Sequence, residues 1–422
     1  MSFDLLLKGM LLAGNGYASK LRRFNPNARK YLLFVFLTTL NAGIYGVIFN
    51  LYILRLGFGE DFLGLILSIS ATSTGLFSIP AAFVCDRLGR KRTLLLSSVL
   101  SAISLFFLYN TTTPELLVLF SLASGMASAL GLVTGSTFLL ENSTKEERMY
   151  LFSMSSLIYT FSLLSGNMLG GFLPDILADL ISAQSGSAIS YRLTLYVSLI
   201  ATMASLLPLA YVAEKNSKEN NGIRGQLHIY RSIFKSKVVR QMTLFYCLYG
   251  IGWGTSLPYF NVYFDAVLGA SANQIGIFFS LSQIFMILGY FLVPVLTERT
   301  GKVRLVSIVQ ILSIPFLLMF VLTNNLLIAV IGFVMRYMLM NMANPILNSF
   351  KLEIVQPEER SMINSIMWMA CYTFVGVGNY TGGLMMAAGD SRMPFMVTGV
   401  FYAVTAIFYY VCFNGLEEII KT

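Results

Sequence analysis

Charged residues are scarce in this sequence. Only 12% of its 422 residues are Asp, Glu, Lys or Arg, whereas 56% are apolar, and the mean hydropathy is +0.71. A water-soluble domain carries about 25% charged residues, so most of the surface of this chain does not suit water. The composition therefore excludes an ordinary soluble protein and indicates a membrane protein.

Histidine and cysteine are also rare. His228 is the single histidine, which excludes a histidine-based metal site, and the four cysteines lie in apolar stretches and form no disulfide framework. The chain has no Gly-x-x-x-x-Gly-Lys sequence for nucleotide phosphates, and its apolar stretches hold no histidine or paired carboxylates for catalysis. We therefore expect no enzyme activity, no cofactor, no metal ion and no nucleotide-driven pumping.

Long apolar runs are what the sequence contains instead. An α-helix needs about 20 apolar residues to cross the hydrocarbon core of a membrane. The runs do not alternate with the period of two that a membrane β-barrel requires. The sequence therefore predicts an all-α membrane protein with twelve transmembrane helices, at residues 31–54, 62–85, 93–109, 115–140, 150–173, 191–212, 241–264, 274–296, 304–323, 326–350, 361–387 and 394–413.

The positive charges are distributed unevenly over the predicted loops. Of the 29 Lys and Arg residues, 25 lie on the side that holds both chain termini, three lie on the other side, and Arg336 lies within a span. Because positive residues concentrate in cytoplasmic loops, both termini are predicted to be cytoplasmic, in an inner or plasma membrane. The net charge of +9 thus reflects topology and does not indicate nucleic-acid binding.

The chain divides into two halves of the same design. A polar linker at 214–239 separates a six-helix bundle at 31–213 from another at 240–415, with a cytoplasmic segment at 1–30 that can form an amphipathic helix and a tail at 416–422. When the halves are laid over each other with Leu56 on Leu268, they share landmarks without a gap as far as Gly171 on Gly383, which indicates an internal duplication. Pairs aligned in this register include Gly64 with Gly276, Gly89 with Gly301, Glu141 with Glu353, and Asn167 with Asn379.

The loop after the second span carries a distinctive motif. It reads DRLGRKR at residues 86–92, with Ala82 where a leading glycine is usual. In this position the motif resembles the signature of the major facilitator superfamily, and the resemblance extends over residues 31–413. It implies two pseudo-symmetric six-helix bundles and a secondary transporter whose halves rock about a central site.

The motif also implies charged clusters at the cytoplasmic boundary of the membrane. Gly89 provides a tight turn, Arg90 can reach Glu141, and Arg148 can complete the group. In the superfamily such clusters hold the cytoplasmic side closed when the cavity opens outward, and a permanent boundary cluster without a gating role is the alternative. The candidate gate residues are Asp86, Arg90, Glu141 and Arg148 in the first half and Glu298, Lys302, Glu353 and Arg360 in the second.

The resemblance further implies that the first, fourth, seventh and tenth spans line the central cavity. Helical spacing then selects one face of the first span and one of the seventh. Aromatic stripes more often serve packing, but these two also carry hydroxyl, amide and indole groups that could contact a solute. The candidate substrate-binding residues are Asn41, Tyr45 and Tyr52 in the first span and Tyr249, Trp253, Ser256 and Tyr263 in the seventh.

Arg336 is the one formal charge near the middle of a predicted span. An arginine at the bilayer centre costs at least about 2.5–3.5 kcal/mol, so its side chain should face protein or a water-filled cavity. Arg336 can anchor an anionic or strongly polar substrate, with Asn344 at the border of the same face. Alternatively, it can donate hydrogen bonds to unpaired carbonyl or amide groups of the fold.

Every Asp and Glu lies at the end of a predicted helix or in a loop, so proton coupling, sodium coupling and uncoupled facilitation all stay open, with Asp265 the nearest candidate for a titrating group. We expect a monomer in the lipid bilayer that moves a small organic solute by alternating access. The aromatic and Met-rich lining and a partial antiporter motif at 166–171 favour drug-type efflux, whereas Arg336 favours uptake of an anionic or polar metabolite. A non-transporting receptor or scaffold on the same fold is the alternative class.

Overall fold

The computed structural model describes residues 25–144, 147–213, 236–356 and 359–421, and the regular structure in these ranges is helical. Ten long helices are continuous: α1 (Pro26–Arg55), α2 (Glu60–Leu88), α3 (Arg90–Asn110), α4 (Pro114–Glu141), α5 (Arg148–Leu180), α8 (Ala272–Thr300), α9 (Lys302–Leu322), α10 (Leu326–Glu353), α11 (Arg360–Ala387) and α12 (Met393–Lys421). Two more consist of consecutive segments: α6 (Ala188–Ala204 and Leu206–Ala210) and α7 (Lys237–Ser256, a 3-10 turn at Leu257–Tyr259, and Phe260–Ala266).

Each of the twelve helices coincides with one predicted span, so the predicted fold class is confirmed. Ten helices of the described ranges are by themselves long and apolar enough to cross a membrane, and α7 and α11 fall below that standard. Most helices extend beyond the predicted apolar runs because polar residues can continue a helix outside the hydrocarbon. α12, for example, continues to Lys421 where a tail was predicted from residue 416. The predicted amphipathic segment and most of the linker (1–24 and 214–235) lie outside the described residues.

Two glycines form the turns that the sequence motif predicts. Gly89 between α2 and α3, and Gly301 between α8 and α9, have the same backbone angles, φ 84° and ψ 162°. A positive φ is sterically easy only for glycine, so these turns depend on glycine in both halves. Elsewhere helices begin with conventional signals, such as Pro26 and Pro114 in first turns and a capping box at Ser271.

The halves pack against each other at one end of the molecule. We call the end that holds Ala213 and Ser236, on either side of the linker, the linker face, and the opposite end the far face. Near the far face, α2 crosses α11 at Gly64 and Gly383, and α5 crosses α8 at Gly171 and Gly276. A Cβ atom added at any of these glycines would lie within 2.9 Å of a backbone atom of the other half. Small residues thus let the halves approach closely at the far face.

Candidate functional site

A pair of asparagines, one from each half, closes the interface at the far face. Asn50 of α1 donates from Nδ2 to Asn261 Oδ1 of α7 at 3.1 Å and to the carbonyl of Pro258. In return, Asn261 Nδ2 donates to the carbonyl of Val47 at 3.0 Å and to that of Gly46 at 3.3 Å. Nearer the surface, Arg55 forms an ion pair with Asp265 at 3.2 Å, which also joins the halves.

Crevices take the place of these contacts toward the linker face. α2 and α11 still touch at Gly75, where a Cβ atom would lie 2.7 Å from the Thr373 nitrogen. From Ser78 onward the same two helices line a cavity of about 120 Å³ together with α4. A second cavity of about 580 Å³ lies between α8 and α10 in the other half. Among the described residues, the halves therefore meet at the far face and leave cavities at the linker face.

The predicted gate clusters lie beside these cavities. Arg90 contacts Asp86 at 2.9 Å and Glu141 at 3.0 Å, and it also donates to the Cys85 carbonyl. In the second half the equivalent cation, Lys302, pairs with Glu353 at 2.6 Å. Both ion pairs join helices of one half, so neither connects the halves in this conformation.

Three of the predicted gate residues are not part of these pairs. Arg148 and Glu298 form no ion pair among the described residues, although Glu298 lines the larger cavity. Arg360 donates from Nε to the carbonyl of Leu352 at 3.0 Å. In this conformation each cluster consists of a central cation, Arg90 or Lys302, with its nearest carboxylates. Arg148 and Arg360 are not paired with these carboxylates among the described residues.

Two of the predicted binding residues serve packing within their own halves. Tyr52 is 0% exposed, and its hydroxyl donates to the carbonyl of Tyr109 at 2.8 Å. Tyr263 is equally buried and donates to the carbonyl of Val321 at 2.9 Å. The two acceptor carbonyls are equivalent in the register of the repeats. The first bond fixes α3 at the far face, and the second fixes α9.

The other predicted residues of α1 and α7 lie deeper in the bundle. Tyr45 stacks on Phe49, and the buried Oδ1 of Asn41 has no hydrogen-bond partner in the described part of the chain. In α7 the Trp253 ring lies 6.4 Å from that of Tyr249 and 5.9 Å from that of Tyr372 on α11. Half-buried Trp253 thus belongs to an aromatic contact between α7 and α11.

Arg336 lies inside the second half. It is 2% exposed, and its guanidinium donates to Ser256 Oγ at 3.3 Å where α7 changes to its 3-10 turn. The guanidinium carbon lies 4.9 Å from the ring centre of Phe260 and 5.5 Å from that of Tyr402 on α12. Arg336 thus connects α10 to α7 and α12, and its Nε has no partner among the described residues.

A neighbouring face of α10 carries a polar row, formed by Tyr337, Asn341 and Asn344, that the spacing of α1 and α7 did not reveal. Tyr337 accepts a hydrogen bond at 3.0 Å from Gln283 Nε2 of α8, and Asn344 donates to Asn341 Oδ1 at 3.1 Å. The three residues lie within about 60° of one another around the helix, and about 80° from Arg336 at the nearest. Ser280, three residues before Gln283 on α8, donates to the carbonyl of Leu164 of α5 at 3.2 Å, so this side of α8 meets the first half.

The first half has small or apolar residues at the positions equivalent to Gln283 and this polar row. In the register that places Gly64 on Gly276, these four equivalents are Ala71, Gly125, Ala129 and Leu132. Gly125 packs directly on α2, since a Cβ atom there would lie 2.2 Å from the Ser70 carbonyl oxygen. An internal comparison of the repeats would have identified the polar row from sequence.

The fold and these cavities define a duplicated helical membrane protein. The sequence model of the Major Facilitator Superfamily matches residues 31–264 and 242–418, and the chain belongs to this superfamily. It is therefore a secondary transporter of small solutes rather than an enzyme, as the sequence motif predicts. A comparison with curated protein sequences finds no match.

Solved structures share the fold at low sequence identity. A mutant of the nucleoside transporter NupG has a TM-score of 0.76 at 17% identity, covering 92% of this chain and 100% of that one. A bacterial homologue of the human lysosomal transporter Spinster, in an inward-facing occupied conformation, has 0.74 at 14%, covering 91% and 96%. A D-xylose-proton symporter has 0.72 at 14%, with 91% and 96% covered. These identities support the fold alone, and none of the names indicates drug efflux.

Proposed function

We propose that this transporter moves an uncharged, polar solute with several hydroxyl or amide groups, and that the second half provides most of the recognition. The hydrogen bond between Gln283 and Tyr337 carries the proposal. Tyr337 oxygen accepts this bond, so its own proton is free to donate. Gln283 Oε1 is buried and has no partner among the described residues.

Uncharged hydroxyl and amide groups lie along this face of α10. Asn341 and Asn344 add amide donors and acceptors, and the row itself carries no charge. A site built from such groups rejects solutes that leave its polar atoms unpaired, because each unpaired buried group costs about 1–3 kcal/mol. The chemistry of the row therefore suits a neutral polyhydroxylated or amide-bearing solute better than an ion.

We assign Arg336 a supporting role in this site. Its contacts with Ser256, Phe260 and Tyr402 all lie within the second half, on a different side of α10 from the polar row. The guanidinium holds α10 against α7 through Ser256 and Phe260, and against α12 through Tyr402. Uptake of an anion anchored by Arg336 is the outcome that would contradict this assignment.

Efflux of aromatic, drug-like solutes is a second candidate, favoured by one observation. Trp253 of α7 and Tyr372 and Trp368 of α11 form a continuous row of rings. The ring centre of Tyr372 lies 5.9 Å from that of Trp253 and 5.6 Å from that of Trp368. The glycines of the antiporter-like stretch do not add to this candidate. Gly166 and Gly170 pack against α1, which accounts for them without reference to the direction of transport.

We further propose that the linker face is cytoplasmic and that the two gate clusters stabilise its closed form. The bias of positive charge supports the orientation. In a cysteine-free background, a cysteine at Ser187 should react with an impermeant thiol reagent added outside intact cells, and one at Ser143 should not. The reverse pattern would contradict the orientation.

Ligand-induced thermal stabilisation of the purified protein tests the choice of solute, because a compound that binds the folded state raises its Tm. The panel contains neutral sugars and nucleosides, organic anions, and lipophilic aromatic drugs. We expect a neutral polar compound to stabilise the protein, and Tyr337→Phe to weaken its binding roughly tenfold. Tyr380→Phe, on the exposed side of α11, is the matched control and should bind normally. Stabilisation by drugs alone would favour efflux, and stabilisation by anions that is lost in Arg336→Gln would favour the anion anchor.

A further inference from the structure

The two cavities at the linker face occupy equivalent places in the repeats but differ in size. The smaller, of about 120 Å³, is lined by Asp86 and Thr137, and the larger, of about 580 Å³, by Glu298 and Ser349. Asp86 is equivalent to Glu298, and Thr137 to Ser349, in the register that relates the two halves. The difference therefore arises from side chains or neighbouring helices and not from the position in the fold.

α11 contributes to the smaller cavity a side chain that has no counterpart in the other. Trp368 lines this cavity together with Asn364 and Ser365 of the same helix. In the described part of the chain, the lining of the larger cavity comes from α8, α9 and α10. The residue of α5 equivalent to Trp368 is Ser156. The second half thus has an indole at the position where the first half has a hydroxymethyl group.

A buried lysine lies directly behind this indole. Lys351 of α10 is 2% exposed, with Nζ 5.0 Å from the ring centre of Trp368 and 5.8 Å from that of Tyr246. It forms no ion pair within the described ranges. From sequence this lysine counts as a cytoplasmic loop charge, because it follows the predicted span 326–350 directly.

The fold itself does not require a charge at this position. The equivalent residue of α4 is Leu139, which packs in the apolar core of the first half beside Phe138. Burying an ammonium group at the membrane boundary is costly, and an intramembrane charge usually marks a functional position. Two aromatic rings offset part of the cost of burying the Lys351 charge, since the face of an aromatic ring attracts a cation.

We propose that Trp368 is a size-selecting residue of the linker-face passage and that Lys351 is the positioning residue that holds its indole in place. Attraction to the ammonium keeps the ring on the lining of the smaller cavity, where it restricts what passes between α2, α4 and α11. Tyr246 supports the lysine from α7. The role concerns passage through the transporter and does not depend on which solute the polar row binds.

Thiol labelling of equivalent cysteines tests the narrowing. In a cysteine-free background, Thr137→Cys reports on the smaller cavity, and Ser349→Cys is its matched control in the larger one. Two reagents are used, a small methanethiosulfonate and a bulky maleimide. We expect Trp368→Ser, which copies the equivalent residue of α5, to increase the maleimide rate at position 137 roughly tenfold. The rate at position 349 and the small-reagent rates should change little.

Lys351 variants then separate positioning from folding. Lys351→Leu copies the first half, removes the charge and should raise the maleimide rate at position 137 several-fold, whereas Lys351→Arg should restore the slow rate. The chain has two tryptophans, so Trp253→Phe makes Trp368 the sole tryptophan fluorophore, which is excited selectively over tyrosine. Acrylamide should quench this fluorophore more strongly in Lys351→Leu than in wild type, and Lys351→Arg should reverse the increase.

Three results would overturn the proposal. An unchanged maleimide rate in Trp368→Ser would show that the indole does not narrow the passage. Equal quenching of Trp368 in Lys351→Leu and wild type would show that the lysine does not hold the ring. Equal acceleration at positions 137 and 349 would mean that the variants loosen the whole linker face, and the specific role of Trp368 would be rejected.

Discussion

The first and second halves of this transporter share backbone geometry and differ in polar chemistry. The turns at Gly89 and Gly301 have identical dihedral angles, and each is followed by a cation that reaches a glutamate 51 residues later. On the helices, however, polar residues of α8 and α10 correspond to small or apolar residues of α2 and α4 in the aligned repeats. The two halves thus share what the fold needs, and the second half also carries polar groups that the fold does not need.

Glycines at the far face should produce the largest effect when altered, and they test the shared part of the design. A Cβ atom at Gly276 would lie 2.8 Å from Gly171 Cα, and one at Gly64 would lie 2.9 Å from Gly383 Cα. Gly276→Ala or Gly64→Ala should therefore separate the halves at the far face at a cost of about 1–3 kcal/mol, shifting the equilibrium roughly five- to hundredfold.

Distances between spin labels on the far-face ends of α1 and α7 measure this shift. Gly399→Ala is the control, because its Cβ atom would meet only side-chain carbons at 3.7 Å and 3.9 Å. If one of the two interface variants opens the far face and the other does not, the symmetry of the closure is refuted.

Arg336 should give the next largest effect, and it tests the chemistry peculiar to the second half. Arg336→Gln removes contacts with Phe260 and Tyr402 and should lower the free energy of unfolding by about 2 kcal/mol. Arg336→Lys keeps the charge and should recover part of the loss. Thermal unfolding of the purified variants measures both effects. Unchanged stability with lost anion binding would show instead that Arg336 anchors a substrate.

The asparagine pair should respond unequally, although each residue bonds to the helix of the other. Asn261 donates to two carbonyls of α1 and accepts from Asn50, whereas Asn50 donates to one carbonyl of α7 and to Asn261. Asn261→Ala should therefore favour opening of the far face by about 1–2 kcal/mol, and Asn50→Ala by somewhat less. The same spin-label distances provide the measurement, with Asn325→Ala, a helix cap at the far face outside the interface, as control. A larger effect for Asn50→Ala would contradict this ranking.

The gate clusters should give the smallest effect. Glu141→Gln and Glu353→Gln together should favour the form open at the linker face, because both clusters lose the anion of their central pair. Partly exposed ion pairs contribute under about 1 kcal/mol each, so we expect a shift of only a few-fold. Spin labels at the linker-face ends of α4 and α10 can measure it. No change in the distance distribution would leave the clusters as boundary structure only.

Much of the fold could be predicted from sequence because the membrane imposes its pattern residue by residue. Twelve apolar runs defined the twelve helices, and the constant register between the halves, with Gly89 on Gly301, defined the repeat. The pairs Arg90 with Glu141 and Lys302 with Glu353 form as the motif predicts, since the helices that carry them are adjacent in each repeat. Whether these pairs act as a gate stays a prediction.

Side-chain partners, in contrast, were decided only by the tertiary structure. Helical spacing placed Tyr52 and Tyr263 on candidate faces, but it could not show that both hydroxyls bond carbonyls within their own halves. The end of the apolar run at residue 350 likewise placed Lys351 in a loop. In the structure α10 extends past that run and buries Lys351 against Trp368. The periodicity of a helix determines which residues share a face, and the packing of distant helices determines whether that face meets lipid, another helix or the transport pathway.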